Sequence, residues 1–80
     1  MEKTERFQGV VAWFNRGYGF IKPNDPEVND GKDLFVHFTQ IVSEATFKTL
    51  TAGQTVLFSL GSNKNGIQAE QVEVIAEPEL

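Results

Sequence analysis

Two short stretches carry side chains whose types and spacing can do chemistry: Arg16-Gly17-Tyr18-Gly19-Phe20-Ile21 and Leu34-Phe35-Val36-His37-Phe38. In an extended chain, successive side chains alternate between faces. Tyr18 and Phe20 then share a face opposite Gly17, Gly19 and Ile21, and Phe35 and His37 share a face opposite Leu34, Val36 and Phe38. Leu34, Val36 and Ile21 are ordinary core residues, so Tyr18, Phe20, Phe35 and His37 are expected outside, and alternation sends Phe38 inward. Trp13 and Phe14 are neighbours, so one faces each way unless a bulge intervenes. Trp13 is assigned to the outer face. Each large ring carries roughly 150–250 Å² of coverable surface. Four together rival the ~300–600 Å² largest apolar patch of a typical monomer. The chemistry such a face offers is stacking of flat groups.

Catalysis has no comparable constellation. Ser43, Ser59 and Ser62 would have to share the single histidine, His37, and the acids fall mostly in turn-rich segments or near the C-terminus. General acid–base work needs carboxylates paired in a pocket. With one histidine and no cysteine, no metal site is expected, and no cofactor. The glycine spacing around Tyr18 lacks the further glycine and following helix of a dinucleotide fingerprint, and Gly61–Gly66 does not read as a phosphate-cradling loop.

The elements that must position these rings are strands. No window shows a 3.6-residue apolar period, whereas several short ones alternate with period two. Strands are expected near Phe7–Asn15, Gly17–Lys22, Asp33–Phe38, Thr55–Leu60 and Ile67–Ile75, each enriched in valine, isoleucine or aromatic residues. A Pro/Asp/Glu/Gly-rich connection follows the second strand and reads as a solvated loop. The connection after the third holds a short helical turn with Thr39 as its N-cap. Five short strands in 80 residues predict an all-β fold, a small five-stranded barrel whose closure removes exposed edges. The glycines of the second strand let it bend around that barrel.

Length and charge narrow the class. Residues 1–80 suffice for one domain, burying roughly 60–65% of its unfolded surface. The absence of cysteine excludes disulfides and thiolate zinc. No stretch has the apolar length of a signal peptide or a membrane span. A cytoplasmic monomer is expected, with neither membrane nor small-molecule substrate as partner. Net charge is −4, which taken alone argues against a nucleic-acid partner. However, residues 6–69 carry six cations against five acids, while four glutamates lie in the acidic C-terminal end, 70–80.

At the ring-bearing stretches the sequence resembles the cold-shock domain family, over about Gln8–Val74. Gly17-Tyr18-Gly19-Phe20-Ile21 and Leu34–Phe38 are similar to its two ribonucleoprotein-type motifs. Ala12–Asn15, Phe47–Leu50 and Gly66–Val72 also match in order and character. The resemblance implies a five-stranded antiparallel barrel of the oligonucleotide-binding type (an OB-fold) that binds single-stranded RNA or DNA on the outer face of strands one to three. Position by position, Trp13, Tyr18, Phe20, Phe35, His37, Phe38 and Phe47 match stacking residues. Arg16 matches a basic position, and Asp33 and Gln68 match positions whose polar groups hydrogen-bond bases. Phe14 and Asn15 match a structural or peripheral-contact pair. Lys22 and Lys64 are candidate phosphate contacts, with Lys48 as an alternative. Three departures stand out: the link from Asn15 to Arg16 is about two residues shorter than usual, Ala12 replaces a common lysine, and the second connection is longer and acidic.

Together these features predict a non-enzymatic binder of unpaired nucleic acid, an RNA chaperone or a regulator of transcription or translation. The alternative is a protein-interaction module whose aromatic patch docks a peptide.

Overall fold

Alternating sequences with apolar residues on one side must wrap that side around a core, and here they do so by closing on themselves. The computed structural model describes residues 5–43, 48–64 and 66–78. It contains β1 (Phe7–Asn15), β2 (Tyr18–Pro23), β3 (Leu34–His37), β4 (Thr55–Asn63) and β5 (Gly66–Ala76), with 3-10 turns at Val28–Gly31 and Phe38–Gln40. The strands form a closed barrel in the order β1-β2-β3-β5-β4. The β1–β2, β1–β4, β2–β3 and β4–β5 pairs are antiparallel. A short parallel contact at Phe35 and Gln68 closes the ring. The expected all-β, five-stranded barrel is present.

Val11, Ile21, Leu34, Val36, Val56, Phe58, Ala69 and Val72 fill its interior, each at most 1% exposed. Val28, Ile41 and Leu50 complete the buried cluster from outside the strands. Val28 corrects the reading of the acidic connection as wholly solvated: its one large apolar residue is buried. Around it, the Asp25 carboxylate accepts the Glu27 N–H at 2.9 Å, and the Asn29 amide donates to the carbonyls of Lys32 and Asp33.

Strand boundaries moved where turn chemistry intervened. β2 starts at Tyr18 rather than Gly17, because Arg16 (φ 58°) and Gly17 (φ 93°) form the two-residue turn between the paired Asn15 and Tyr18. Positive φ at both central positions is the signature of a type I′ hairpin. β3 ends at His37, where Phe38 opens a 3-10 turn. His37, not Thr39, caps that turn, its Nδ1 accepting the Thr39 N–H at 3.4 Å.

The feature that decides the faces lies in β1. Gly9 and Val11 are buried, and strict alternation would send Trp13 inward with them. Instead the register against β2 shifts, with Val11 opposite Ile21 but Trp13 opposite Phe20. Ala12 is the extra residue of a β-bulge. The shift reverses the phase: Trp13 is 43% exposed, while Phe14 packs against the core. The bulge is held from both sides. Val11 donates to the Gln54 carbonyl and accepts from the Gly53 N–H, each at 2.9 Å. On the β2 side, a Cβ on Gly19 would overlap the Trp13 carbonyl oxygen, so only glycine lets the strands approach this closely.

Among buried side chains, the Ser59 hydroxyl has no hydrogen-bond partner among the described residues. A buried polar group left unpaired is costly. In urea denaturation, Ser59→Ala is therefore expected to hold or raise stability, by about 1 kcal/mol at most. Val36→Ala, a core truncation, should lower it by about 1–3 kcal/mol. The reverse order would contradict this description of the core.

Candidate nucleic-acid interface

Three adjacent strands place the rings. The bulge brings Trp13 opposite Phe20, and the β2–β3 register sets Phe20 opposite Phe35 and Tyr18 opposite His37. Four rings then close a circuit. Trp13 lies 5.6 Å from Tyr18 and 5.4 Å from Phe20, and Phe35 lies 5.9 Å from both Tyr18 and Phe20. Most of these contacts are tilted or edge-on, at 50–76°, the Tyr18–Phe35 pair being nearer parallel at 29°. Each ring is braced by two others, which restricts the rotamers a ligand would otherwise have to order. Trp13 and Tyr18 are exposed, and Phe20, Phe35 and His37 half-buried. Alternation on strands two and three therefore read these faces correctly.

Phe38 departs from that alternation. Opening the 3-10 turn takes it off the strand pattern, and it is exposed rather than inward. Its ring centroid sits 4.7 Å from that of His37, and its N–H donates to the Gly17 carbonyl at 2.8 Å. The His37 Nδ1 lies 2.9 Å from the Thr39 hydroxyl and accepts the Thr39 N–H, leaving Nε2 as the ring nitrogen free to meet a ligand.

Beside this pair a cleft of about 620 Å³ opens, lined by Phe14, Arg16, Gly17, Phe38, Thr39, Lys48 and Thr49. The tight Arg16-Gly17 turn forms one wall, so Arg16 and Lys48 share a concave surface with an exposed ring. In the sequence Thr39 was read only as a helix cap, and Thr49 was not singled out. Threonines in connecting segments carry no period that would mark them, and only the tertiary fold sets them facing the hairpin.

The remaining candidates are spread around the platform. Lys22 is exposed on β2, two residues beyond Phe20. Asp33 is exposed just before β3, at the end of the barrel that carries the acidic connection. Gln68 is half-buried on β5, in register with Phe35. Lys64 is exposed in the β4–β5 turn. Phe47 lies outside the described residues.

The charges sort by location. Arg6 is committed elsewhere, its Nη2 donating to the carbonyls of Leu57 and Gln71 and to the Glu73 carboxylate. Glu77 accepts from the buried Gln54 amide at 3.0 Å. Glu73 and Glu77 therefore belong to the barrel rather than to a wholly solvated end. Among the described residues, no acid lies within ion-pair distance of Arg16, Lys22, Lys48 or Lys64.

Residues 7–75 match the family described as the 'Cold-shock' DNA-binding domain. The chain belongs to the cold-shock domain family. It is 46% identical over 74 residues to the cold shock-like protein CspA of Vibrio cholerae, spanning 90% of this chain and 99% of that protein. To the cold shock protein CspB of Bacillus caldolyticus it is 49% identical over 67 residues, 81% and 92% of the two chains. Among solved structures, Drosophila Unr CSD456 superposes with a TM-score of 0.73 at 21% identity over 96% of this chain, a likeness of fold. The chain spans 29% of that longer protein. This cold-shock domain thus has the fold of a nucleic-acid-binding family. No helix among its described residues is long and apolar enough to cross a membrane.

The ring circuit makes a separable prediction. Phe20→Ala and Phe35→Ala should each weaken binding of a single-stranded hexamer by about 1–3 kcal/mol, the usual worth of one stacked base. Arg6→Ala, whose guanidinium is occupied, should leave affinity unchanged. Calorimetric titration showing full affinity in the phenylalanine variants, with the barrel intact by circular dichroism, would contradict the assignment.

Proposed function

We propose that this cold-shock domain binds single-stranded RNA or DNA by stacking unpaired bases on Trp13, Tyr18, Phe20, Phe35, His37 and Phe38. The observation that carries this reading is the closed circuit of four rings, outside the core, on three adjacent strands. Every base has a π-face whatever its identity, so such a platform makes little sequence demand. In a duplex those faces are already covered. Single strands are preferred, and binding them shifts hairpin equilibria by mass action, with no nucleotide cofactor consumed. The cellular role that follows is an RNA chaperone, or a regulator of transcription or translation, acting as a monomeric module in the cytoplasm.

Magnitudes support stacking over charge as the driving force. Three or four stacked bases give about 3–12 kcal/mol before ordering costs, and micromolar binding needs about 8 kcal/mol. A site of roughly 5–7 nucleotides falls within the usual span of this fold class. Arg16 and Lys22, with Lys48 or Lys64, neutralise two or three phosphates at most. For single strands, log K should then fall against log salt with a slope of about −1.4 to −2.1.

The test uses the intrinsic fluorescence of Trp13, the sole tryptophan. Hexathymidylate or an RNA hexamer should quench it at micromolar concentration, with the shallow salt slope given above. A slope near −5 would mean that phosphate contacts dominate. No quenching up to millimolar oligonucleotide would reject nucleic-acid binding and leave the patch as a docking surface for protein.

A further inference from the structure

Beside Phe35, the structure holds a polar device that the stacking platform does not use. Asn63, Gln68 and Glu70 form a hydrogen-bonded row across the β4–β5 hairpin. The Asn63 Nδ2 donates to the Gln68 Oε1 at 2.7 Å, and the Gln68 Nε2 donates to the Glu70 Oε2 at 2.9 Å. A carboxylate offers only acceptors, so the Gln68 amide must turn its NH₂ toward Glu70. Turned the other way, it would set its carbonyl oxygen against the carboxylate. The amide is therefore locked from both ends.

Space for this arrangement comes from Gly61, which lies opposite Gln68 on β4. A Cβ there would overlap the Glu70 carboxylate. With none, the carboxylate lies flat over β4 next to Gln68, half-buried rather than extended into solvent.

Free hydrogen-bonding capacity along the row runs in a definite order. Gln68 Nε2 keeps one N–H, Glu70 Oε2 keeps a lone pair, and Glu70 Oε1 accepts from none of the described residues. The sequence is donor, acceptor, acceptor. The Watson–Crick edge of guanine presents the complement: the O6 acceptor, the N1–H donor and the N2–H donor. Thymine and uracil instead have one N–H flanked by two carbonyl oxygens, which sets an acceptor against a carboxylate oxygen. Adenine and cytosine each offer one amine donor beside an acceptor nitrogen and cannot satisfy both carboxylate oxygens.

Gln68 is in register with Phe35 across the β3–β5 contact, and neighbouring strands lie only ~4.8 Å apart. A purine stacked on Phe35 with its pairing edge toward β5 meets Gln68 within one strand spacing, and the Glu70 carboxylate bonded to Gln68 lies just beyond, over Gly61 of β4. We infer that Gln68 and Glu70 form a guanine-reading edge beside the stacking platform, with Glu70 its specificity-determining residue. This rests on the stacking function proposed above and adds base selection to it. Bidentate pairing of a charged group with a base edge is the strong kind of contact. A carboxylate also repels phosphate, so it discriminates against other bases as well as attracting the right one.

The test walks a single guanine through the six positions of hexathymidylate, with inosine, which lacks the N2 amine, as the paired control. At one position guanine should bind about tenfold tighter than thymine, and inosine there should lose most of that gain. Glu70→Gln should abolish the guanine-over-inosine preference while binding hexathymidylate as the wild type does, or slightly tighter. Gly61→Ala, which displaces the carboxylate without touching the platform, should do the same. Absence of any guanine preference, or its persistence in both variants, overturns the inference while leaving the stacking function intact. Failure of hexathymidylate itself to bind overturns both.

Discussion

The exposed ring face, the proposed binding surface, depends on one irregularity, the extra residue at Ala12. A small barrel must be lined by every second residue of each strand, and in an unbroken β1 the alternation that buries Gly9 and Val11 would bury Trp13 and expose Phe14. The bulge reverses the phase after Val11. One strand thereby serves the core with its first half and the outer platform with its second. Gly19 and the Gly53–Gln54 backbone hold the bulge from either side. Trp13 is thus delivered into contact with Tyr18 and Phe20 by packing that involves no ligand.

The platform's energetics follow from that placement. Rings braced against each other lose little freedom when a base arrives, and their attraction to bases does not depend on net charge. Overall acidity is therefore no obstacle to the proposed binding of a polyanion. Its charges are also laid out with direction: Arg16 and Lys48 line the cleft beside Phe38, whereas Asp33 and the acidic connection stand at the opposite end of the β2–β3 pair. A strand crossing the rings would meet cations alone at one end, and Lys22 among acids at the other. The row of Asn63, Gln68 and Glu70 lies to the side, and on the proposed reading it would meet base edges rather than phosphates.

Much of this was legible in the residues themselves. Leu34 and Val36 against Phe35 and His37 fixed the faces of β3, because period two leaves no other arrangement once the aliphatic pair is inside. The barrel followed from five such segments. Alternation failed at Phe38, where a 3-10 turn capped by His37 replaces the strand, and the expected Thr39 cap was displaced for the same reason. Val28 went unnoticed because a lone valine among acids, asparagines and prolines has no periodicity to betray its burial. Side-chain relations across strands, such as Glu70 lying over Gly61, depend on register and a bulge in β5, where Gln71 takes φ 51°. No local pattern encodes that.

The central claim, that bases lie on the outer rings of β1, β2 and β3, is tested most directly by intermolecular NOEs between hexathymidylate and the protein. The account predicts contacts from thymine methyl and H6 protons to the ring protons of Trp13, Phe20 and Phe35. Contacts confined instead to the exposed aliphatic side chains of β4 and β5, such as Leu60, Ile67 and Ile75, would contradict it.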